Sequence, residues 1–176
     1  MLFKPLALSA VALGVSAKPS GHPDVSDSAI YAYGNDISGL PIVRIKDSAY
    51  LTNITSVPSG SSIQNLTFTC VSKRRTLTAS STPQGNTTAR TSFFAFKKDT
   101  GLATFTEAVD DALSMTTGYF FFGNTLFVDV NEKHMGAEWV AIPVQVDGQS
   151  LFQVGWNVTT AGSIPILLNT QAPMTE

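Results

Sequence analysis

Cysteine occurs once in the 176 residues, as Cys70. An intrachain disulfide is therefore excluded, and the core must hold without covalent staples. Histidine is nearly as scarce, with only His22 and His134. Transition-metal sites draw mainly on His, Cys and carboxylates. A site here would need His134, a neighbouring Glu132 or Glu138, and a third ligand from elsewhere, so no metal and no other cofactor is expected. Charged residues make up 14% of the chain and the formal net charge is −2, well under the usual quarter. Nucleic acid is excluded as an expected partner, because it calls for a broad basic patch. No G-x-S-x-G nucleophile motif is present, although a Ser-His-Asp set assembled in space would leave no such trace. No stretch reaches the roughly 20 apolar residues of a membrane helix. The ending Ile164 to Glu176 holds Pro165, Asn169 and Pro173 and lacks a terminal hydrophobic tail, so no membrane anchor is expected.

What is present begins with a leader. Lys4 is followed by an apolar run from Leu6 to Val15, broken by Ser9 and Gly14, and then by Val15-Ser16-Ala17. Small side chains at the −3 and −1 positions complete the pattern of a secretory signal peptide over residues 1–17. The expected organisation continues with a flexible segment over 18–28, a single β domain over 29–170 and a tail over 171–176. The chain is expected to be secreted, remaining extracellular or associated with a cell wall.

Four N-x-T sequons start at Asn53, Asn65, Asn86 and Asn157. Their context carries more than their number. Leu66, Phe68 and Cys70 alternate with Asn65, Thr67 and Thr69. On a strand, alternate side chains point to opposite faces, which puts Asn65 in solvent and Cys70 in the core. Similarly Phe152, Val154, Trp156 and Val158 share one face, and Gln153, Gly155, Asn157 and Thr159 the other. Both acceptors then face outward, where a glycan can sit.

Period-two patterning runs through most of the chain. Strands are expected at Ala29-Tyr33, Ile42-Lys46, Tyr50-Ile54, Asn65-Val71 and Ser92-Phe96, and then at Tyr119-Phe122, Thr125-Val130, Glu138-Val146, Leu151-Thr159 and Ile164-Leu168. Gly123-Asn124 and Asp147-Gly148 suit tight hairpin turns. One helix is expected near 104–115, because Thr104 and Glu107 match a capping box ahead of Ala108, Val109, Ala112, Leu113 and Met115. Thr76 to Arg90, rich in Ser and Thr, reads as a long exposed loop. The fold class is mainly β: an antiparallel sandwich or barrel of about 8–10 strands with one short helix.

Chemistry has few anchors. Asp110 and Asp111 are adjacent on the expected helix and would diverge. Asp129 and Glu138 would share a cleft only if their strands were neighbours. Lys73-Arg74-Arg75 is the one basic triplet, readable as a solvated loop edge or as a dibasic processing site. Tyr31, Tyr33, Tyr50, Tyr119, Trp139 and Trp156 would stack on sugars if exposed in a row. Trp156 belongs to an apolar stripe. Trp139 is out of phase with Val140, Ile142 and Val144, which points it outward or toward a ligand. The candidate ligand-binding residues are Trp139, Asp129, His134 and Glu138, and no catalytic residue is assigned.

The leader, Tyr31-Ala32-Tyr33-Gly34 with Ile37-Ser38-Gly39-Leu40-Pro41, and Gly155-Trp156-Asn157 with Ile164-Pro165-Ile166 resemble a group of small secreted proteins of filamentous fungi. The resemblance implies origin and compartment and carries over no site residue. The expected function is non-enzymatic: a secreted glycoprotein binding a glycan or protein partner at the fungal surface or in the surroundings. The alternative is a β-barrel carrier or enzyme for a small hydrophobic molecule, with Phe93, Phe94, Phe96 and Tyr119 to Phe122 lining its interior. A packed interior favours the first reading, and an aromatic-lined pocket holding Asp129, His134 or Glu138 the second.

Overall fold

The computed structural model describes residues 24–54, 62–81, 90–109, 112–130 and 135–174. The first strands are β1 (Val25–Ser28), β2 (Tyr31–Gly34), β3 (Ile37–Ile45), β4 (Ser48–Leu51) and β5 (Gln64–Val71). Next come β6 (Thr76–Ser81), β7 (Arg90–Lys97), β8 (Ala103–Thr106), β9 (Ser114–Met115) and β10 (Tyr119–Phe122). The last are β11 (Thr125–Asp129), β12 (Met135–Gly136), β13 (Trp139–Val146), β14 (Gln149–Trp156) and β15 (Ile164–Asn169).

The pairing closes on itself as an antiparallel barrel of ten strands, in the order β15-β13-β14-β4-β8-β7-β6-β5-β3-β2 and back to β15. Closure removes the free edges that an open sandwich leaves. The β3–β4 hairpin also pairs with itself, Ile42 opposite Leu51 and Ile45 opposite Ser48. This hairpin is therefore a spine shared by two six-strand circuits. The β10–β11 hairpin joins the ring through β15, while β1, β9 and β12 attach to β5, β7 and β11.

Side-chain alternation fills the ring. Phe94 sits at the centre, in tilted or edge contact with Phe68 at 5.9 Å, Phe105 at 5.7 Å, Tyr119 at 5.8 Å and Trp139 at 6.0 Å. Such pairs add about 0.5–1.5 kcal/mol each beyond the area they bury. Small residues sit opposite large ones, as with Ala79 opposite Phe68, so the layers interdigitate. At the hairpin turn, Asp147 and Gly148 both take positive φ, 50° and 78°, as a primed turn requires.

Several expectations fail for physical reasons. Among the described residues there is no helix. Ala103–Thr106 pairs with β7 instead, Phe105 opposite Phe94, because burying the Phe105 ring gains more than one capping bond. The Thr104 hydroxyl donates to the Asp47 carbonyl at 2.6 Å, and Glu107 reaches Arg90 across the sheet. Val109 and Leu113, expected on a buried stripe, are exposed. Thr76–Ser81 is a core strand rather than the start of a loop, with Leu77, Ala79 and Ser81 buried. Within the segment expected to be flexible, Val25–Ser28 pairs with β5.

Candidate functional site

A broad concavity lies outside the barrel, where β2, β13 and β15 meet the turn after β14. It is a groove of about 530 Å³. Gly34 leaves its floor bare: a Cβ there would come within 2.6 Å of the Pro165 carbonyl oxygen. Val140, Pro165 and Leu167 supply apolar wall, while Tyr33, Glu138 and Asn157 supply polar groups. Leu167 is half exposed. Beyond Tyr33 and Leu167 the depression continues toward Asn169 and Gln171, adding about 490 Å³.

Tyr33 is the hinge between the two parts. Its hydroxyl donates to the Gln171 carbonyl at 2.8 Å, which fixes the ring. Partial desolvation, with the neighbouring Tyr31 phenol, pushes its phenol up from the ordinary value. The group therefore stays a neutral donor through the physiological range. Opposite it, the Glu138 side chain is exposed and lies over Gly136. The Glu138 carbonyl accepts the Asn157 N–H at 2.8 Å, and Asn157 takes φ 50°. That bond sets the end of the groove.

The candidates of the sequence are scattered rather than gathered. Glu138 lines the groove. Asp129 is buried away from it, paired with Arg75 at 2.9 Å, and the Arg75 guanidinium also stacks over Phe120 at 5.4 Å. Asp129 and Glu138 therefore face different surroundings. His134 and Asn86 lie outside the described residues, as do the leader, Asp110 and Asp111. Trp139 does not face outward. It is 1% exposed and its Nε1–H donates to the Leu126 carbonyl at 3.0 Å. The misleading stripe of Val140 and Ile142 packs half-buried over Gly155 on the outer face, so both faces of β13 are apolar. Asn53, Asn65 and Asn157 are all exposed.

A second, smaller cleft of about 300 Å³ opens at one end of the barrel, between the Lys97–Gly101 turn and the chain after Trp156. Trp156 stacks on Phe96 at 4.9 Å, and its buried Nε1–H meets no acceptor among the described residues. Sequence reasoning placed Tyr33 and Trp156 among the aromatics but gave no signal that one edges a groove and the other a cleft. Cys70 is buried, and burial pushes its thiol up to about 11, which makes it a poor nucleophile. Among the described residues no three metal-ligating side chains cluster. Comparison with protein-family models, with curated proteins and with solved structures finds no match to this chain.

Proposed function

We propose that this chain is an exported, N-glycosylated binding protein whose outer groove holds a neutral oligosaccharide of the kind that builds fungal walls. The observation that carries the reading is the groove itself. An aromatic ring with a neutral hydroxyl and a carboxylate stand around an apolar floor. Sugars present apolar ring faces and hydroxyl rims, and such a mixture matches both. The exposure of Asn53, Asn65 and Asn157 supports export, since acceptor asparagines must reach solvent. A carrier for a small hydrophobic molecule would want an empty interior, whereas here Phe94 and its neighbouring rings fill the ring centre.

The test is calorimetric titration with laminarihexaose and chitohexaose, alongside the Tyr33→Ala variant. Saturable binding of at least one is expected. It should weaken by about tenfold in Tyr33→Ala, the equivalent of roughly 1.4 kcal/mol, with the melting temperature recorded to show that the variant folds. Absence of binding to both sugars, or equal binding by a folded Tyr33→Ala variant, overturns the reading.

A further inference from the structure

The depression beyond Tyr33 continues the groove rather than standing apart from it. Both parts are lined by Tyr33 and Leu167, which pair across β2 and β15. Cross-strand partners stand side by side on one face of a sheet, so the phenol ring and the half-exposed leucine form an apolar saddle between the two parts. At about 530 and 490 Å³, each part alone has the volume of a small-molecule site. Joined over a saddle, they suit a chain of repeating units. Among the described residues lining either part, Glu138 is the one charged side chain, which disfavours an anionic chain. Asn157, read above as a glycan acceptor, bounds the groove at the Glu138 end. A bound chain therefore extends the other way, over Tyr33.

The far wall is built by the chain after β15, and a bulge prepares its seat. Ala32 pairs with Leu40 and Tyr33 with Ser38, which leaves Gly39 as an extra residue of β3. Gly39 takes φ 73°, the left-handed region that a bulge glycine fills, and it is buried. Pro173 lies on its bare backbone: a Cβ at Gly39 would come within 2.5 Å of the Pro173 Cβ. Hydrogen bonds hold the rest. The Thr170 N–H donates to the Asn124 carbonyl at 3.0 Å, the Gln171 N–H to Asn169 Oδ1 at 2.8 Å, and the Tyr33 hydroxyl to the Gln171 carbonyl at 2.8 Å. Residues 170–174 are thereby seated against β2 and β3, with Met174 exposed at the rim.

We infer that a single neutral sugar chain lies through both parts, crossing Tyr33 and Leu167, and that residues 170–174 wall a second subsite which makes the protein prefer long chains to short ones. The inference rests on the oligosaccharide reading above. Apolar sugar ring faces cross the saddle, while the exposed Ser38 and the seated segment border the part where hydroxyl rims would lie. Tyr33 serves both ends of the argument: its ring forms the saddle, and its hydroxyl ties the wall. A wall already held in place costs little further ordering when the chain binds.

The test is calorimetric titration with laminari- and chito-oligosaccharides of two and six units, on the parent and two variants. One variant stops the chain after Thr170. The other, Asn169→Ala, removes the acceptor of the Gln171 N–H and keeps both the segment and Tyr33. The parent is expected to bind the six-unit chain about thirtyfold more tightly than the two-unit chain. Placement statistics alone, with several registers of a short site on a long chain, give about fivefold. The shortened chain should fall to that statistical advantage, with two-unit binding kept and the melting temperature reporting its fold. Should it fail to fold, Asn169→Ala decides in its place, with the same fall expected. A parent advantage of about fivefold or less, or an undiminished advantage in the deciding variant, overturns this inference alone. A parent that binds none of these sugars overturns the oligosaccharide reading and this inference with it.

Discussion

Trp139 and Trp156 stand directly opposite each other on β13 and β14, yet they occupy different kinds of region. Trp139 looks into the ring centre, touches Phe94, and gives its N–H to Leu126. Trp156 looks toward the open end, stacks on Phe96, and gives its N–H to no described acceptor. The two share chemistry and strand pairing and differ in satisfaction. Buried polar groups in folded proteins nearly always find partners. The inner, sealed side of this barrel obeys that rule at Trp139, whereas at Trp156 no acceptor among the described residues completes it.

The comparison predicts its largest effect at Trp139. Trp139→Ala should cost about 3–5 kcal/mol, the usual loss for removing a large buried aromatic. Trp139→Phe should still cost about 2 kcal/mol, because it removes a satisfied hydrogen bond and part of a ring that Phe94 packs on. Urea denaturation midpoints at constant slope would measure both. A Trp139→Ala loss below 1 kcal/mol would mean that the sealed side is softer than its ring contacts imply.

How much of this was readable beforehand depended on which signal was strong. Phe68 and Cys70 alternate with polar partners, and β5 forms with them inward and Asn65 outward. Strand β10 spans Tyr119–Phe122 as expected, because four aromatic residues end at a glycine with φ 59°. Strand β6 was invisible for the opposite reason. Its inward residues Leu77, Ala79 and Ser81 are mostly small, and they must be small to sit between β5 and β7 beside Phe68 and Phe94. Composition read those residues as loop, while the tertiary setting read them as filler. Trp139 failed through phase: β13 is apolar on both faces, and period-two counting cannot rank two apolar faces. The groove was legible only as a list of aromatics. It arises from pairings between β2 and β15, Gly34 opposite Ile166, that join residues more than a hundred positions apart.

The sealed side makes a second, smaller prediction through pH. Cys70 lies 1% exposed in the same core as Trp139, its thiol 3.8 Å from the Tyr119 carbonyl. Burial first, and Asp24 second, push the thiol from 9.0 to about 11, against the pull of Arg75. Below pH 9 folded and unfolded chains both keep this proton, and the contribution is fully present. Between pH 9 and 11 only the unfolded chain loses it, so stability falls as pH rises, by about 2–3 kcal/mol over that window. Burial pushes the Tyr119 phenol up as well, and it adds a loss of the same sign at higher pH. Cys70→Ala should therefore lose less stability than the parent between pH 8 and 10.5. Equal losses in the two proteins would show that water reaches the thiol.

The smallest effect is expected at Trp156, and it bears most directly on the contrast. In protein made without glycans, Trp156→Phe removes a buried donor that meets no acceptor among the described residues, worth about 1–3 kcal/mol in relief. It also removes ring atoms stacked on Phe96, a packing loss of similar size. The two terms oppose each other, so the net change should lie within about 1 kcal/mol of zero. At Trp139 the same substitution has no relief term, because its donor is already paired. The difference between the two Trp→Phe variants, measured in one buffer by urea denaturation, thus isolates the satisfied from the unsatisfied N–H. Equal losses at both positions would mean that the Trp156 donor has found water or a neighbouring acceptor in solution, and the asymmetry between sealed side and open end would vanish.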